Sequence, residues 1–297
     1  MVTAYEQLLA ESVIAGKVGS GTFVAADLPQ DLAFGRTVRR PAPVSRLRIP
    51  NELRDGFLEH AAAHDNRPFA TGRTRFDTRT TAVWRTLSQR AVRALGAIDL
   101  GYADPRGAAT LRQAISDYLG TARGVRADAD QVIVTTGTQQ AIDLAIRVLL
   151  KPGDEAWVEN PGHPLTAHAL LAAGIKLRAI AVDQNGRDVS AGQRVAGKAR
   201  AAFITPSHQF PTGVVLSMAR RMELLAWARA RKAWLVEDDY ASEYRYSGKP
   251  LSSLQGLDDA GRVIYVGTLN KVLFPGLRMG YLVPPRTLSR AWSVRAI

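Results

Sequence analysis

The 297-residue chain has no cysteine, and it has only seven lysines beside 32 arginines. The lack of cysteine excludes disulfide bridges, thiolate metal sites and thiol catalysis. The apolar runs are too short, or too often interrupted by charge, to cross a bilayer. Glu6 and Glu11 interrupt the first apolar run, so the start of the chain does not resemble a signal peptide. We therefore expect a cytoplasmic protein without a metal or a membrane partner.

The charge of the chain leaves two interpretations open. A net charge of +12 is typical of proteins that bind nucleic acids. The strong preference for arginine over lysine, together with the many alanines, also suits a GC-rich coding sequence. Charge alone therefore does not decide whether the chain binds DNA.

The first 25 residues have the pattern of a helix followed by a hairpin. Apolar residues recur at helical spacing within residues 3–12, and residues 17–24 form a strand, a turn and a second strand. Gly19 and Gly21 permit the tight turn. A helix followed by such a hairpin is typical of the second half of a winged helix-turn-helix. We predict the C-terminal part of such a module in residues 1–25.

Residues 26–51 are predicted to be a basic linker. They contain four prolines and five arginines, and they show no sustained periodicity. These arginines are able to contact a phosphate backbone, but solvated side chains are the simpler interpretation. Helical patterns at 54–64 and 81–95 then lead into a large domain that we place at residues 52–297.

The large domain alternates strands with helices. The predicted strands are 132–135, 155–159, 177–182, 201–205, 233–237 and 262–266, and helices are predicted at 108–121, 139–150, 165–173 and 217–231. This rhythm predicts an α/β fold of three layers, a mostly parallel sheet with helices on both faces. Ligands of such sheets bind beyond the carboxyl ends of the strands.

Residues 135–140 follow a predicted strand and begin a helix. The backbone amides of Gly137, Thr138 and Gln139 are expected at the helix N-terminus, where they favour a phosphate. The alternative is an ordinary helix cap in which the side chain of Thr136 or Thr138 accepts the hydrogen bond.

Two further strand ends carry polar side chains. His163 follows one strand, where it either lies against a ring or is a simple loop histidine. Asp238 and Tyr240 follow the strand 233–237. A carboxylate at this position can pair with a pyridinium nitrogen, and the tyrosine can bond the phenolic oxygen of the same ring. The alternative is a solvated acidic strand end.

Lys271 lies between an apolar strand and a Pro-Gly turn, away from the charged faces. A lysine amine forms a Schiff base with an aldehyde, and pyridoxal 5′-phosphate (PLP) is a common protein-bound aldehyde. Thr268 and Arg278 are able to supply a hydroxyl and a guanidinium to the phosphate of that cofactor. The alternative is a strand and a turn with a surface lysine.

Phosphate amides, then an acid and a tyrosine, then a lysine follow one another on strand ends of one predicted sheet. In this order the chain resembles the fold-type I, PLP-dependent aminotransferase-like domain. It resembles more closely the MocR subfamily of GntR-type transcription regulators, in which a winged helix-turn-helix is linked to such a domain. The stretches that carry the resemblance are 4–11, 19–24, 101–107, 205–213, 237–240 and 267–281.

The resemblance implies a role for each candidate residue. Lys271 would be the Schiff-base lysine, Asp238 the partner of the pyridine nitrogen and Tyr240 the partner of the ring oxygen. The phosphate would be bound by Gly137, Thr138, Gln139, Thr268 and Arg278.

The chain departs from the family pattern at three further positions. His163 stands where the family usually has an aromatic residue over the ring, which covers more area than imidazole. Asn270 replaces a frequent serine. Phe210 stands where aminotransferases tend to have asparagine, and this difference favours the regulator subfamily.

The resemblance also implies what the chain would do. The family continues for about a hundred residues beyond Ile297, the size of a second small domain, and that part carries the arginine for a substrate carboxylate. We therefore expect a fragment, with transamination doubtful. The first hypothesis is a PLP-binding regulator that senses an amino acid or amine, and binds DNA weakly as this fragment. An aminotransferase and an inactive remnant are the alternatives. A homodimer is expected, with Tyr102 reaching toward the neighbouring subunit.

Overall fold

A computed structural model gives the structure of the protein. It describes residues 9, 14–17, 19–26, 78–96, 100–244 and 252–289. The chain divides into two compact units, Met1–Glu52 and Leu53–Ile297. The helical pattern at residues 3–12 lies outside the described residues except for Leu9, and the linker and the helix at 54–64 lie outside them as well. No helix within the described ranges is long and apolar enough to cross a membrane.

The first unit contains the hairpin that the glycines predict. Strand β1 (Ile14–Lys17) pairs with antiparallel strand β2 (Gly21–Val24). Gly19 and Gly21 have φ angles of 82° and 97°, which residues with a Cβ atom rarely adopt. The amide of Ser20 closes the turn on the carbonyl of Lys17 at 2.9 Å.

The second unit is built on an eight-stranded sheet. Its strands are β3 (Ile133–Thr135), β4 (Glu155–Asn160), β5 (Lys176–Asp183), β6 (Gly186–Arg187), β7 (Ala201–Ile204), β8 (Trp234–Asp239), β9 (Val263–Thr268) and β10 (Gly280–Val283). The spatial order is β3-β10-β9-β8-β7-β4-β5-β6. Strands β5, β4, β7, β8 and β9 are parallel neighbours. Their carboxyl ends therefore lie along one edge.

Helices alternate with most of the strands, and helical residues pack on both faces of the sheet. They are α1 (Thr78–Ala94), α2 (Ala109–Arg123), α3 (Thr138–Leu149), α4 (Pro164–Ala172), α5 (Val189–Ala196), α6 (Met218–Arg231) and the short α7 (Leu254–Leu257). Short 3-10 turns occupy Ala129–Gln131 and Pro275–Leu277.

The core has a layer on each face of the sheet because side chains alternate along a strand. In β8, Val236 packs in the layer that contains Ile146 of α3 and Leu170 of α4. Its neighbour Leu235 packs in the opposite layer, with Leu224 of α6. The arrangement confirms the predicted fold class, an α/β sheet with helices on both faces.

Two features of the sheet were not predicted from the sequence. Strand β10 inserts between β3 and β9 and runs antiparallel to both. The short strand β6 and helix α5 fill a stretch in which we predicted no element. A further helix is described at residues 286–289. The strands and helices predicted within the described ranges of the second unit begin and end within three residues of the observed elements.

Candidate cofactor site

The acidic stretch at the end of β8 is divided between the two faces of the sheet. Glu237 is fully buried, and its carboxylate accepts hydrogen bonds from the amides of Leu254 and Gln255 at 2.9 and 3.0 Å. Asp239 is also buried and accepts from Arg123 Nε at 2.7 Å and from the hydroxyl of Tyr265 at 2.6 Å. Both acids therefore have partners within the protein, although Asp239 uses only Oδ2, and its Oδ1 atom has no partner among the described residues.

Asp238 points to the other face, and its environment differs from that of its neighbours. Its Oδ1 atom is buried and has no hydrogen-bond partner among the described residues. Burial, reinforced by the charges of Asp239 and Glu159, raises the pKa of Asp238 to about 7, while Lys271 opposes the shift. An uncompensated buried carboxylate is costly. The atom is thus available to an external donor.

Lys271 lies in the turn that follows β9 and is half-buried. The charge of Lys271 lowers the pKa of both Asp238 and His163. The backbone carbonyl of Lys271 accepts a hydrogen bond from the hydroxyl of Tyr244 at 2.6 Å. Tyr244 was not among the predicted site residues, although it follows Tyr240 by only four residues.

His163 is half-buried and immediately precedes α4. Its Nδ1 atom is buried without a hydrogen-bond partner in the described part of the chain. Burial, together with the charge of Lys271, lowers the pKa of His163 and favours neutral imidazole. The ring packs on Phe210 with 5.1 Å between centroids and 61° between planes. The two departures His163 and Phe210 are thus in contact.

Tyr240 lies one residue beyond β8 and two residues after Asp238. It is half-buried, and burial, with the charges of Asp238 and Glu159, raises the pKa of its hydroxyl to about 12. The hydroxyl therefore remains protonated at neutral pH. The ring of His208 approaches it edge-on, with 6.2 Å between centroids.

A second group of predicted residues surrounds the N-terminus of α3. Gly137 is the N-cap, with a φ of 104°, and no side chain caps the helix. The alternative of a Thr136 or Thr138 side-chain cap is therefore wrong. A methyl group placed on Gly137 would lie 3.7 Å from Arg278 Nη2 and 3.7 Å from Asn270 Nδ2. The first-turn amides and these two side chains face one another across a space that suits an anion.

The remaining phosphate candidates take different positions. Thr138 and Gln139 are half-buried in the first turn of α3, and the side chain of Gln139 donates to the carbonyl of Leu165 at 3.3 Å. Thr268 is buried, and its hydroxyl donates to the carbonyl of Met279 at 3.0 Å and accepts from the amide of Asn270. Thr268 therefore shapes the loop that carries Arg278 and Lys271.

Glu159 is a site residue that the sequence did not single out. Its Oε2 atom accepts from the hydroxyl of Thr205 at 2.6 Å, from the amide of Thr205 at 3.3 Å and from the side chain of Gln209 at 3.3 Å. Glu159, Asp238 and His163 line one cavity of about 70 Å³. The sequence did contain a signal, because Glu159 is the last residue of the strand predicted at 155–159.

The residues at this edge fit PLP. Asp238 and His163 line the same cavity, and each has a buried polar atom without a partner among the described residues, Oδ1 and Nδ1 respectively. An anion-binding helix N-terminus lies near a loop that carries both a guanidinium and a lysine. The structure thus brings the lysine, the acid and the histidine together, and groups the phosphate candidates around Gly137.

Comparison with known sequences follows the same division of the chain. The profile of the family described as aminotransferase class I and II matches residues 68–293. The protein named as probable rhizopine catabolism regulatory protein MocR of Rhizobium meliloti is 38% identical over 293 residues, which are 97% of this chain and 58% of that protein.

Two further regulators are similar over nearly the whole chain. The HTH-type transcriptional regulator TauR of Rhodobacter capsulatus is 32% identical over 99% of this chain and 61% of its own length. The HTH-type pyridoxine biosynthesis transcriptional regulator PdxR of Corynebacterium glutamicum is 31% identical over 98% of this chain and 58% of its own. The chain thus spans about three fifths of the length of these relatives.

Solved structures resemble the second unit. The kynurenine aminotransferase of Pyrococcus horikoshii, solved in complex with PMP, has a TM-score of 0.69 and 30% identity, over 73% of this chain and 56% of that one. LysN, the α-aminoadipate aminotransferase of Thermus thermophilus, has a TM-score of 0.67 and 28% identity, over 74% of this chain and 56% of that one.

These similarities confirm the predicted resemblance to MocR-type regulators and the predicted cofactor, PLP. They do not test the roles of single residues, which remain predictions. The match over residues 68–293 covers most of the chain, and the sheet order and the site agree with it. The protein therefore belongs to the aminotransferase class I and II family, and within it is similar to the MocR-type regulators.

Proposed function

We propose that this chain is the larger part of a PLP-binding transcription regulator whose aminotransferase-like domain senses an amino compound. One observation carries the proposal. The similarity to regulators extends over 97% of the chain, including residues before the aminotransferase profile begins at residue 68. The similarity to aminotransferase structures covers about three quarters of the chain.

The cofactor would be held by Lys271, Asp238 and Tyr240. Lys271 would bond covalently to the aldehyde carbon, and Asp238 would accept a hydrogen bond from the pyridinium nitrogen. That bond would give Oδ1 the donor it lacks and lower the pKa of Asp238 again. Tyr240, protonated at neutral pH, would donate to the phenolic oxygen. Bound PLP supplies an electrophilic aldehyde and a ring that withdraws electrons.

The phosphate would lie at the N-terminus of α3. The amides of Thr138 and Gln139 and the guanidinium of Arg278 would bind its oxygens, while Thr268 holds the loop. His163 would cover one face of the ring, and Phe210 fixes the imidazole there.

The ligand would be an amino acid or a primary amine. The aldehyde that PLP supplies would react with a primary amino group, and Lys271 would hold the cofactor at that carbon in the absence of such a ligand. We further propose a homodimer and a DNA partner for the whole regulator. Tyr102 is fully exposed in the described chain, which suits a contact with a second copy.

Covalent cofactor labelling tests the proposal. PLP is added, the protein is reduced with borohydride, and the labelled peptide is identified by mass spectrometry. We expect one label, on Lys271, and none in Lys271→Ala. Lys198→Ala, an exposed lysine far from the site in sequence, is the matched control and should label like wild type. Asp238→Ala should label at higher PLP concentration only. Persistent labelling of Lys271→Ala would reject the assignment.

An aminotransferase is the second candidate, because the second unit shares the fold of kynurenine aminotransferase at a TM-score of 0.69. The two candidates differ in turnover. If the chain is an enzyme, a panel of amino acids should convert the cofactor to its aminated form, pyridoxamine phosphate, and release the corresponding 2-oxo acids. A regulator should show only a change in the absorbance of bound PLP.

A further inference from the structure

The edge of the sheet opposite the cofactor site carries exposed cations. We define the amino-edge surface by five residues that are exposed and take part in no ion pair within the described part of the chain, Lys176, Lys198, Arg200, Arg231 and Lys232. They lie where parallel strands begin and where α5 and α6 end. The surface is therefore produced by the topology and not by one run of basic sequence.

Backbone hydrogen bonds place these residues side by side. Lys176 is the first residue of β5 and pairs in register with Glu155, the first residue of β4. The amide of Arg200 donates to the carbonyl of Glu155 at 2.8 Å, and the amide of Trp234 donates to the carbonyl of Arg200 at 2.9 Å. Since neighbouring strands are about 4.8 Å apart, the first residues of these four strands span roughly 14 Å.

The C-terminal end of α6 joins the same surface. Arg231 is its last residue and Lys232 its C-cap. A methyl group placed on Gly197 would lie 3.9 Å from Arg231 Nη2, so this guanidinium reaches the turn that carries Lys198. The cations of two connections thus meet at one place.

The carboxylates at this edge are already engaged. Asp154 accepts from the amide of Lys151 at 2.8 Å, and Asp258 accepts from two backbone amides at the start of β9. Glu155 forms an ion pair with Arg178, and this hydrogen bond lowers the pKa of Glu155. The acids are therefore bonded within the fold, whereas the five cations of the amino-edge surface are available to a polyanion.

We propose that the amino-edge surface binds the phosphate backbone of duplex DNA. The choice of DNA as the polyanion rests on the proposed function as a regulator. Phosphates recur about every 3.4 Å along the axis for each strand, so a surface of roughly 14 Å faces about four of them. Long, exposed lysine and arginine side chains contact phosphates without reading base edges. The surface contributes affinity and salt dependence, not sequence preference.

The test compares two variants with equal charge loss in the full chain. The amino-edge variant carries four glutamine substitutions, Lys198→Gln, Arg200→Gln, Arg231→Gln and Lys232→Gln. The control variant removes four exposed cations of α1, by Arg79→Gln, Arg85→Gln, Arg90→Gln and Arg93→Gln. Binding to a fluorescent 20-base-pair duplex of arbitrary sequence is measured by anisotropy between about 50 and 200 mM KCl.

We expect the amino-edge variant to lose at least about tenfold in affinity at the lowest salt. Its slope of log affinity against log salt should become shallower by about 3 to 4, since each lost phosphate contact removes about 0.9. The α1 control should stay within about twofold of wild type, as net charge beyond the contact region is largely screened.

Three results would overturn the proposal. Equal losses in both variants would mean that net charge alone accounts for binding. An unchanged amino-edge variant would place the contact elsewhere. Binding to phosphatidylserine vesicles, with none to the duplex, would identify a different partner. Borohydride labelling of Lys271 is measured in every variant, and normal labelling excludes misfolding. If no protein is labelled but the amino-edge variant still loses duplex binding as expected, the result counts against the cofactor proposal alone.

Discussion

The two edges of the sheet carry charged groups in opposite physical situations. At the carboxyl edge, Asp238 and His163 are withdrawn from water and each leaves a buried polar atom without a partner. At the amino edge, cations such as Lys198 and Arg200 project into solvent. Both edges result from the same parallel strands, yet at the first edge these polar groups are largely buried and at the second they are exposed.

The difference in burial determines what the charged groups of each edge indicate about a binding partner. A buried group without a partner costs about 1–3 kcal/mol, and a ligand that bonds to it would recover this cost. An exposed cation costs almost nothing, so its presence indicates a partner only where neighbouring acids are engaged and the fold collects several cations. Asp154, Glu155 and Asp258 meet that condition at the amino edge.

The comparison also holds between adjacent residues of β8. In the described part of the chain, Asp239 Oδ2 accepts from Arg123 and Tyr265, whereas Asp238 Oδ1 is buried without a partner. One acid stabilises the fold and the other is held against its preference for water. The following predictions test this distinction and the contrast between the edges.

The largest effect is expected for Asp239→Asn. The substitution leaves the buried guanidinium of Arg123 without its counter-charge, which should lower the free energy of unfolding by about 3–5 kcal/mol. Urea unfolding measures the loss. The double variant Asp239→Asn/Arg123→Met removes both charges and should recover part of the stability. A loss below about 1 kcal/mol in the single variant would show that the pair is not structural.

Gly280→Ala should disturb the phosphate site directly. A methyl group on Gly280 would lie 2.6 Å from the carbonyl carbon of Gly137, and backbone cannot move aside as a side chain can. We expect a stability loss of up to about 3 kcal/mol and weaker PLP binding. Gly276→Ala is the control, because its nearest neighbour is 3.9 Å away. PLP titration of both variants checks the effect, and equal affinities would contradict it.

Asp238 should make the cofactor-free protein less stable as the pH rises. Burial raises its pKa from 3.8 to about 7 in the folded protein. The stabilising contribution is therefore fully present below pH 3.8 and is lost as the pH rises to about 7. Between about pH 5 and 8, the free energy of unfolding should fall on the order of 2 kcal/mol more in wild type than in Asp238→Asn.

Urea unfolding at several pH values, without PLP, measures this difference. The comparison with Asp238→Asn is needed because burial also raises the pKa of Glu237 to about 7, and that group titrates in both proteins. Parallel pH curves for the two proteins would show that Asp238 is not withdrawn from water.

The smallest effect is expected at the amino edge. Single substitutions such as Lys198→Gln and Arg200→Gln remove solvated cations and should change the free energy of unfolding by less than about 0.5 kcal/mol. The same substitutions should weaken duplex binding. A destabilisation above 1 kcal/mol would mean that these cations have structural partners and would remove the contrast between the edges.

The sequence by itself determined the alternation of strands and helices, because the apolar pattern differs between the two kinds of element. It also determined the chemical groups at the strand ends, among them Lys271, Asp238 and Tyr240. Parallel strands bring their carboxyl ends to one edge, so these groups were expected to meet. Motif order carried this inference because it depends only on local pattern and on connection rules.

The tertiary structure decided what depends on contacts between distant parts of the chain. The direction of β10 is set by pairing with β3 and β9, which no local pattern specifies. The bonds of Glu159 to Thr205 and Gln209 join different strand ends. The amino-edge surface has the same origin, since Lys176, Lys198 and Arg231 are distant in sequence and become neighbours only when parallel strands align their first residues. The apolar periodicity of the sequence indicates which side of a helix or strand is buried. Only the pairing of strands in the structure shows which residues lie opposite.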